Sequence, residues 1–246
     1  MWAASYACSI TMTLRWLICF SLGALPLSAA TVSGRVELRD SRDPGVRNRN
    51  DYSGVVVALK PMEGAMPPAG IKHAVMLQKD KTFSPHVLAI PAGSVVDFPN
   101  ADPIFHNAFS SYSGQIFDIG LYPPGTSRSV RFAREGVVRV FCNIHASMSA
   151  VIVVAGSAYF AITKRNGAFE IADVPPGQYD VTVFHERASE SALRELSRKI
   201  IVGEEGTTLP PIAISEAGYL SIPHTNKYGH AYPPDPGDQA GYSTKK

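Results

Sequence analysis

Three side chains that favour soft metal ions follow one another at intervals of three residues. They are Cys142, His145 and Met148, in the run Phe-Cys-Asn-Ile-His-Ala-Ser-Met, directly after a predicted strand at Gly136–Phe141. A thiolate, an imidazole and a thioether are together the donors that suit copper as it cycles between two oxidation states. A tight loop at a strand end lets all three point at one ion, so this loop is the first candidate for chemistry.

His106 supplies a second imidazole, shortly after another predicted strand at 94–98. Two histidines and a cysteine in a trigonal set, with a weak axial methionine, form the blue-copper arrangement. Two alternatives stay open at this point. Zinc could use the same donors, although it more often takes two thiolates or three imidazoles without a thioether. A cysteine near a histidine is also typical of a nucleophilic thiol.

The residues around these donors predict short strands and little helix. Runs rich in Val, Ile and Phe alternate with Pro- and Gly-containing turn signals. About nine strands in roughly 125 residues is the scale of a Greek-key β-sandwich. The predicted strands are 32–38, 55–59, 74–78, 87–90, 94–98, 108–110, 129–132, Gly136–Phe141 and 150–154.

With these ligands and strands, residues 31–155 resemble a cupredoxin, most closely amicyanin and the plastocyanin-like proteins. The matching pattern is an Asn six residues before His-Asn at 106–107, then Cys-x-x-His-x-x-Met. The resemblance implies that His106, Cys142 and His145 are equatorial ligands of one copper ion and that Met148 is the axial ligand. It also implies that the backbone N–H of Asn107 donates to the cysteine sulfur and tunes the potential.

The cupredoxin resemblance further implies an electron carrier rather than an enzyme. Copper oxidases and nitrite reductases of this kind place a histidine directly beside the cysteine or add further histidine pairs, and neither occurs here. A c-type cytochrome or a dehydrogenase would be the redox partner. A copper chaperone or scavenger is the alternative function, disfavoured because only one methionine lies near the site.

A second, smaller β-sandwich is predicted at 156–216. Asn166-Gly167 is a strong hairpin signal, and the Val-Pro-Pro-Gly-Gln-Tyr run at 174–179 resembles carboxypeptidase-regulatory-like β-sandwiches. Together the two blocks predict an all-β protein of two sandwiches. Residues 217–246 are rich in Pro, Gly and Tyr without periodicity, which predicts a disordered tail.

The ends and the charge of the chain bear on location and partners. Residues 1–30 have the features of a signal peptide, with Arg15 before a short apolar run and small residues at Ser28-Ala29-Ala30, so export to the periplasm is expected. No other segment is apolar enough to span a membrane. The 23 basic and 21 acidic residues form no dense basic stripe, which argues against nucleic acid as a partner.

Overall fold

The computed structural model describes residues 30–63, 70–111, 114–220 and 224–232, and these form a nearly all-β fold. The predicted fold class is thereby confirmed. The predicted signal peptide lies outside the described residues except for Ala30, which begins the first strand. Within the described ranges, no helix has the length and apolar character needed to cross a membrane.

Short strands account for most of the described elements, and both helices are only six residues long. The elements are β1 (Ala30–Arg39), α1 (Pro44–Arg49), β2 (Val56–Pro61), β3 (His73–Val75), β4 (Leu77–Lys79), β5 (Thr82–Ser84), β6 (Val87–Pro91), β7 (Ser94–Pro99), β8 (Phe109–Ser110), β9 (Phe117–Asp118), β10 (Ser127–Phe132), β11 (Gly136–Phe141), β12 (Ser149–Ala155), β13 (Phe160–Ile162), β14 (Ala168–Val174), β15 (Gly177–Phe184), α2 (Glu190–Glu195), β16 (Arg198–Val202), β17 (Thr207–Thr208) and β18 (Ile212–Ser215).

The strands from β3 to β12 enclose one hydrophobic core, which we call the central core. Its sheets have the orders β6-β12-β11-β8-β9 and β10-β7-β3, and β4 and β5 form a further two-stranded sheet. In β11, Val138 and Val140 are fully buried, as its alternating sequence predicts for a strand with one face inward. Cys142 and Met148 belong to the same core, so the loop after β11 is anchored in it.

The first two strands and the strands from β13 to β18 enclose a second core, which we call the terminal core. Its sheets have the orders β14-β1-β17, with β18 also on β1, and β13-β2-β15-β16. β1 pairs antiparallel with β14 and runs parallel to β18. β2 pairs antiparallel with β15 along its whole length. The central core is therefore inserted between two parts of the terminal core.

This pairing corrects the sequence-based boundaries, which assign residues 31–155 to one domain and 156–216 to the next. β1 and β2 pack with the strands that follow residue 155. In β1, Val32, Val36 and Leu38 are buried, as their pattern predicts. An alternating pattern identifies a strand and its buried face, but it does not say which distant strand it pairs with.

The two cores are in direct contact through a small apolar cluster. Val56 of β2 packs with Val151 and Val153 of β12, and Phe184 at the end of β15 lies against them. The short link at Ala155-Gly156 thus joins two sandwiches that share buried surface.

A polar contact lies beside this apolar cluster. The imidazole of His86, just before β6, has its Nε2 2.8 Å from a carboxylate oxygen of Glu186, just after β15, and its Nδ1 3.1 Å from the carbonyl oxygen of Ser149. Both neighbours are acceptors, so only the protonated ring can donate to both. The hydrogen bond to Glu186 raises the pKa of His86, against opposing effects of burial and of the charge of Arg187. Burial would raise the pKa of Glu186, but the hydrogen bond and charge of His86 lower it.

These pKa shifts make the contact pH-dependent. Because its pKa is raised on folding, protonated His86 stabilises the fold at pH values below 6.5, the pKa of the unfolded chain. This stabilisation is lost as the pH rises through the higher pKa of the folded state. The lowered pKa of Glu186 stabilises the fold above 4.5. We therefore expect His86→Gln to destabilise the metal-free protein by about 0.5–1 kcal/mol between these values, because the ring is half exposed, and by less at alkaline pH.

Urea unfolding of the His86→Gln, Glu186→Gln and double variants at several pH values measures this coupling. A coupling energy that stays the same from mildly acidic to alkaline pH would show that the charged pair does not hold the two cores together.

The chain after β18 differs from the predicted disordered tail over part of its length. Residues 224–232 lie on the loop that follows β11, where Tyr232 donates a hydrogen bond to the carbonyl of Cys142. Composition without periodicity shows that a segment builds no core of its own, but it does not show whether the segment finds partners on a neighbouring surface. The predicted tail residues 221–223 and 233–246 lie outside the described residues.

Candidate metal centre

The loop between β11 and β12 closes on itself through two backbone hydrogen bonds. The N–H of Cys142 donates to the carbonyl of Met148 at 3.1 Å, and the N–H of Met148 donates to the carbonyl of His145 at 3.1 Å. The register of the flanking strands continues directly outside it, with Phe141 opposite Ser149. The loop therefore has little freedom, and its side chains start from a rigid hairpin end.

His106 reaches the same place from a distant part of the chain. It forms an isolated antiparallel bridge with Tyr122, and its side chain is fully buried. Its Nδ1 lies 3.9 Å from the sulfur of Cys142. Its other nitrogen, Nε2, lies 2.7 Å from a carboxylate oxygen of Asp102. Since a carboxylate accepts, Nε2 carries the proton and Nδ1 presents its lone pair towards the sulfur.

His145 completes the cluster from within the loop. Its Nδ1 lies 3.6 Å from the sulfur of Cys142, and its ring meets that of His106 edge-on, with 4.9 Å between the ring centroids. The ligand atoms of His106, Cys142 and His145 all lie within 4.8 Å of one another. The structure thus brings together three of the four predicted ligands at one point.

The spacing of these atoms fits one metal ion. An ion with bonds of about 2.0 Å to nitrogen and about 2.3 Å to sulfur separates such ligand atoms by about 3.5–3.8 Å at tetrahedral to trigonal angles. The two distances from Cys142 Sγ to the imidazole nitrogens, 3.6 and 3.9 Å, are close to this. One thiolate and two imidazoles in this arrangement can hold copper or zinc without rearrangement of the fold.

Met148, the fourth predicted ligand, is fully buried in the central core together with Cys142. Its backbone is hydrogen-bonded to both Cys142 and His145. The backbone of Met148 therefore lies beside two of the three converging residues, and its role as the axial ligand stays a prediction.

Several backbone hydrogen-bond donors surround the sulfur of Cys142. Burial raises the pKa of the Cys142 thiol above its usual value, and hydrogen bonds from the backbone N–H groups of Ile144, Asn107, His145 and Asn143 offset only part of that rise. Such donors stabilise a thiolate once a metal displaces the proton. The N–H of Asn107 is thus one of the donors to the sulfur, and its tuning of the potential stays a prediction.

Asp102 is a site residue that sequence reasoning missed. Its buried carboxylate accepts the N–H groups of Asp80 at 2.6 Å and Lys81 at 2.9 Å besides the ring of His106. Burial would raise the pKa of Asp102, but these hydrogen bonds outweigh it and lower the pKa. An aspartate four residues before a candidate histidine ligand was the available signal, because ligand imidazoles usually donate their second N–H to a carboxylate or carbonyl.

The rim of the cluster is partly apolar and exposed. His145 is partly exposed, and Ile144, Ile104 and Phe105 are exposed by 40%, 37% and 53%. The buried His106 and the accessible His145 give the cluster one closed and one open side.

Comparison with known proteins gives partial structural matches. No protein-family model matches this chain, and no curated protein matches it either. A purple cupredoxin from Nitrosopumilus maritimus is 25% identical, with a TM-score of 0.30, and the match covers 33% of this chain and 98% of the cupredoxin.

Two further solved structures match with similar scores. Amicyanin from Paracoccus versutus is 20% identical, with a TM-score of 0.32, over 40% of this chain and 96% of amicyanin. A copper-containing nitrite reductase from Thermus scotoductus is 20% identical, with a TM-score of 0.33, over 48% of this chain and 28% of the enzyme. These three structures are two cupredoxins and a copper-containing nitrite reductase, each matched over less than half of this chain.

Proposed function

We propose that this chain binds one copper ion between His106, Cys142 and His145, with Met148 as a weak axial ligand, and that it carries electrons. The observation that supports this most strongly is the convergence of one sulfur and two imidazole nitrogens within 4.8 Å. The two histidines belong to separate loops, 39 residues apart in the chain. Such convergence needs the whole central core to be folded.

The donor set favours copper over zinc. Structural zinc sites usually hold four ligands with several thiolates or imidazoles, whereas a single thiolate, two imidazoles and a thioether suit copper in both oxidation states. Bound copper would supply one-electron chemistry. The protein would hold its ligands in place during that chemistry, because His106 is fixed by Asp102 and Cys142 by the closed loop.

The enclosure of the cluster supports a carrier role. His106, Cys142 and Met148 are buried, which favours neither substrate access nor ligand exchange, and His145 alone of the four is partly exposed. We infer that electrons pass through the edge of His145 to a redox protein, such as a c-type cytochrome or a dehydrogenase, that contacts the rim at Ile144 and Phe105. We further infer that the protein is exported to the periplasm and is not an enzyme.

The terminal core has a supporting role in this proposal. Its Asn166-Gly167 turn and its Tyr179 suit a carboxypeptidase-regulatory-like sandwich. We infer that it stabilises the central core or contributes to docking through the surface that the two cores share.

Copper titration of the purified protein tests the proposal. One equivalent of Cu(II) should produce an intense visible thiolate-to-copper absorption and an electron paramagnetic resonance spectrum with small copper hyperfine splitting, whereas the zinc-loaded protein should stay colourless. Repeated reduction and reoxidation beside a Cu(I) chelator should leave the copper in place. Loss of copper to the chelator at the first reduction would favour a chaperone or scavenger, and a colourless Cu(II) protein would contradict the copper site itself.

A further inference from the structure

Four polar residues form a closed ring of hydrogen bonds beside the candidate metal site, through their side chains and two backbone N–H groups. The N–H of Asn143 donates to Asn107 Oδ1 at 3.2 Å, and Asn107 Nδ2 donates to Asp118 Oδ1 at 2.7 Å. Lys227 Nζ donates to Asp118 Oδ2 at 2.8 Å, and the backbone N–H of Lys227 donates to Asn143 Oδ1 at 3.0 Å. Asn107 directly follows His106, and Asn143 directly follows Cys142. The ring therefore ties the two ligand-bearing loops to one residue near the C-terminus.

A second contact holds the same loop from the same segment. The hydroxyl of Tyr232 donates to the backbone carbonyl of Cys142 at 2.7 Å. The ring of His224 stacks on Phe141, with 4.1 Å between centroids, and meets the ring of Tyr232 edge-on. The strand end, the cysteine and the residue after it are thus all contacted by residues 224–232, which we call the strap.

The ionic contact of the strap is partly shielded from water. The side chains of Lys227 and Asp118 are 24% and 40% exposed. The hydrogen bond to Asp118 raises the pKa of Lys227. Burial would raise the pKa of Asp118, but the hydrogen bonds that it accepts, with that from Lys227 the strongest, lower it. Both groups are charged at neutral pH. An exposed pair of this kind contributes little alone, but this pair closes a ring whose other members flank two ligands.

We propose that the strap is a latch on the metal centre, in which Lys227 and Tyr232 are positioning residues that hold the Cys142–Asn143 backbone against the loop of His106. The proposal rests on the proposed copper site and deepens it, since a latched loop releases copper more slowly. It also makes a statement about the metal-free protein: Cys142 is fully buried, so a reagent reaches its sulfur only when the loop opens. Weakening the latch should increase that opening.

Alkylation of Cys142 in the metal-free full-length protein tests the latch. The rate is followed by mass spectrometry of the peptide that contains Cys142. Lys227→Met removes the ammonium but keeps the backbone donor, and Tyr232→Phe removes only the hydroxyl. We expect the alkylation rate to rise about threefold for Lys227→Met, about fivefold for Tyr232→Phe, and at least about tenfold for the double variant.

Matched controls separate the latch from general destabilisation. Lys199→Met on β16 and Tyr219→Phe remove the same groups outside the strap and should leave the rate unchanged. Hydrogen exchange should rise in the peptide spanning 142–148 but not in β15 of the terminal core. A double variant that alkylates at the wild-type rate, or whose exchange rises equally in both peptides, overturns the latch.

The copper-loaded protein gives a second, separable result. Loss of the visible band measures the rate at which Cu(II) passes to an excess of chelator. This rate should rise in the double variant by a factor similar to the rise in its alkylation rate. If the wild-type protein binds no copper while the variants still alkylate faster, the proposed function fails and the latch is supported. If copper binds but alkylation and transfer are both unchanged, the latch fails and the proposed function is supported.

Discussion

Replacing Cys142 by serine is expected to abolish the visible charge-transfer absorption of the copper-loaded protein completely. The band requires a thiolate bound to Cu(II), and Cys142 is the only cysteine among the described residues. Copper affinity should fall by more than about 100-fold, beyond what loss of a supporting residue costs, because the sulfur is the common neighbour of both imidazole nitrogens. Absorption spectroscopy and competition with a chelator measure both quantities.

The fold should survive this substitution, which makes the result interpretable. Serine has nearly the shape of cysteine, and its hydroxyl oxygen can accept the backbone N–H groups that surround the sulfur. Thermal unfolding of the metal-free variant should therefore resemble that of the wild type. A serine variant that retains an intense visible band, or that binds copper as tightly, would show that the metal lies elsewhere.

Replacing Asp102 by asparagine is expected to weaken copper binding by about 10–100-fold while leaving every proposed ligand in place. The carboxylate accepts three N–H groups, from Asp80, Lys81 and His106. An asparagine must turn its NH2 group towards one of these donors. If the NH2 group faces His106, the ring either loses its anchor or moves its proton to Nδ1, the atom that faces the sulfur.

The same change should raise the reduction potential. The negative charge of Asp102 favours Cu(II) over Cu(I), so its removal favours the reduced form. Asp97→Asn is the matched control: this residue lies on β7 of the same core and accepts from Ser129, but it contacts no proposed ligand. Chelator competition and redox titration should shift in Asp102→Asn and stay near wild type in Asp97→Asn. Equal effects of the two variants would mean that Asp102 acts only through its negative charge and not through its hydrogen bond to His106.

The candidate metal-binding cluster was predictable because three of its four proposed members lie close together in the sequence. Cys142, His145 and Met148 lie in one loop at the end of a strand, and the strand is recognisable from its alternating valines. His106 was added by its donor type and its place after a second strand. Asp102 was within reach by the same reasoning, because the second nitrogen of a ligand histidine needs an acceptor.

The features that the sequence did not predict depend on distant partners. Val32 and Val36 identify β1 as a strand with a buried face, but its partners β14 and β18 lie more than 100 residues away. Many strands in this chain have similar apolar patterns, so pattern alone cannot choose among them. Lys227 and Tyr232 carry no periodic pattern, and their role depends on a surface that only the folded core presents.

Anomalous diffraction at the copper edge, from crystals of the copper-loaded protein, tests the central claim most directly. The account predicts one strong peak among His106 Nδ1, Cys142 Sγ and His145 Nδ1, at about 2.0–2.3 Å from each. A peak at any other group of side chains, or a loaded crystal without a peak between these three atoms, would contradict it.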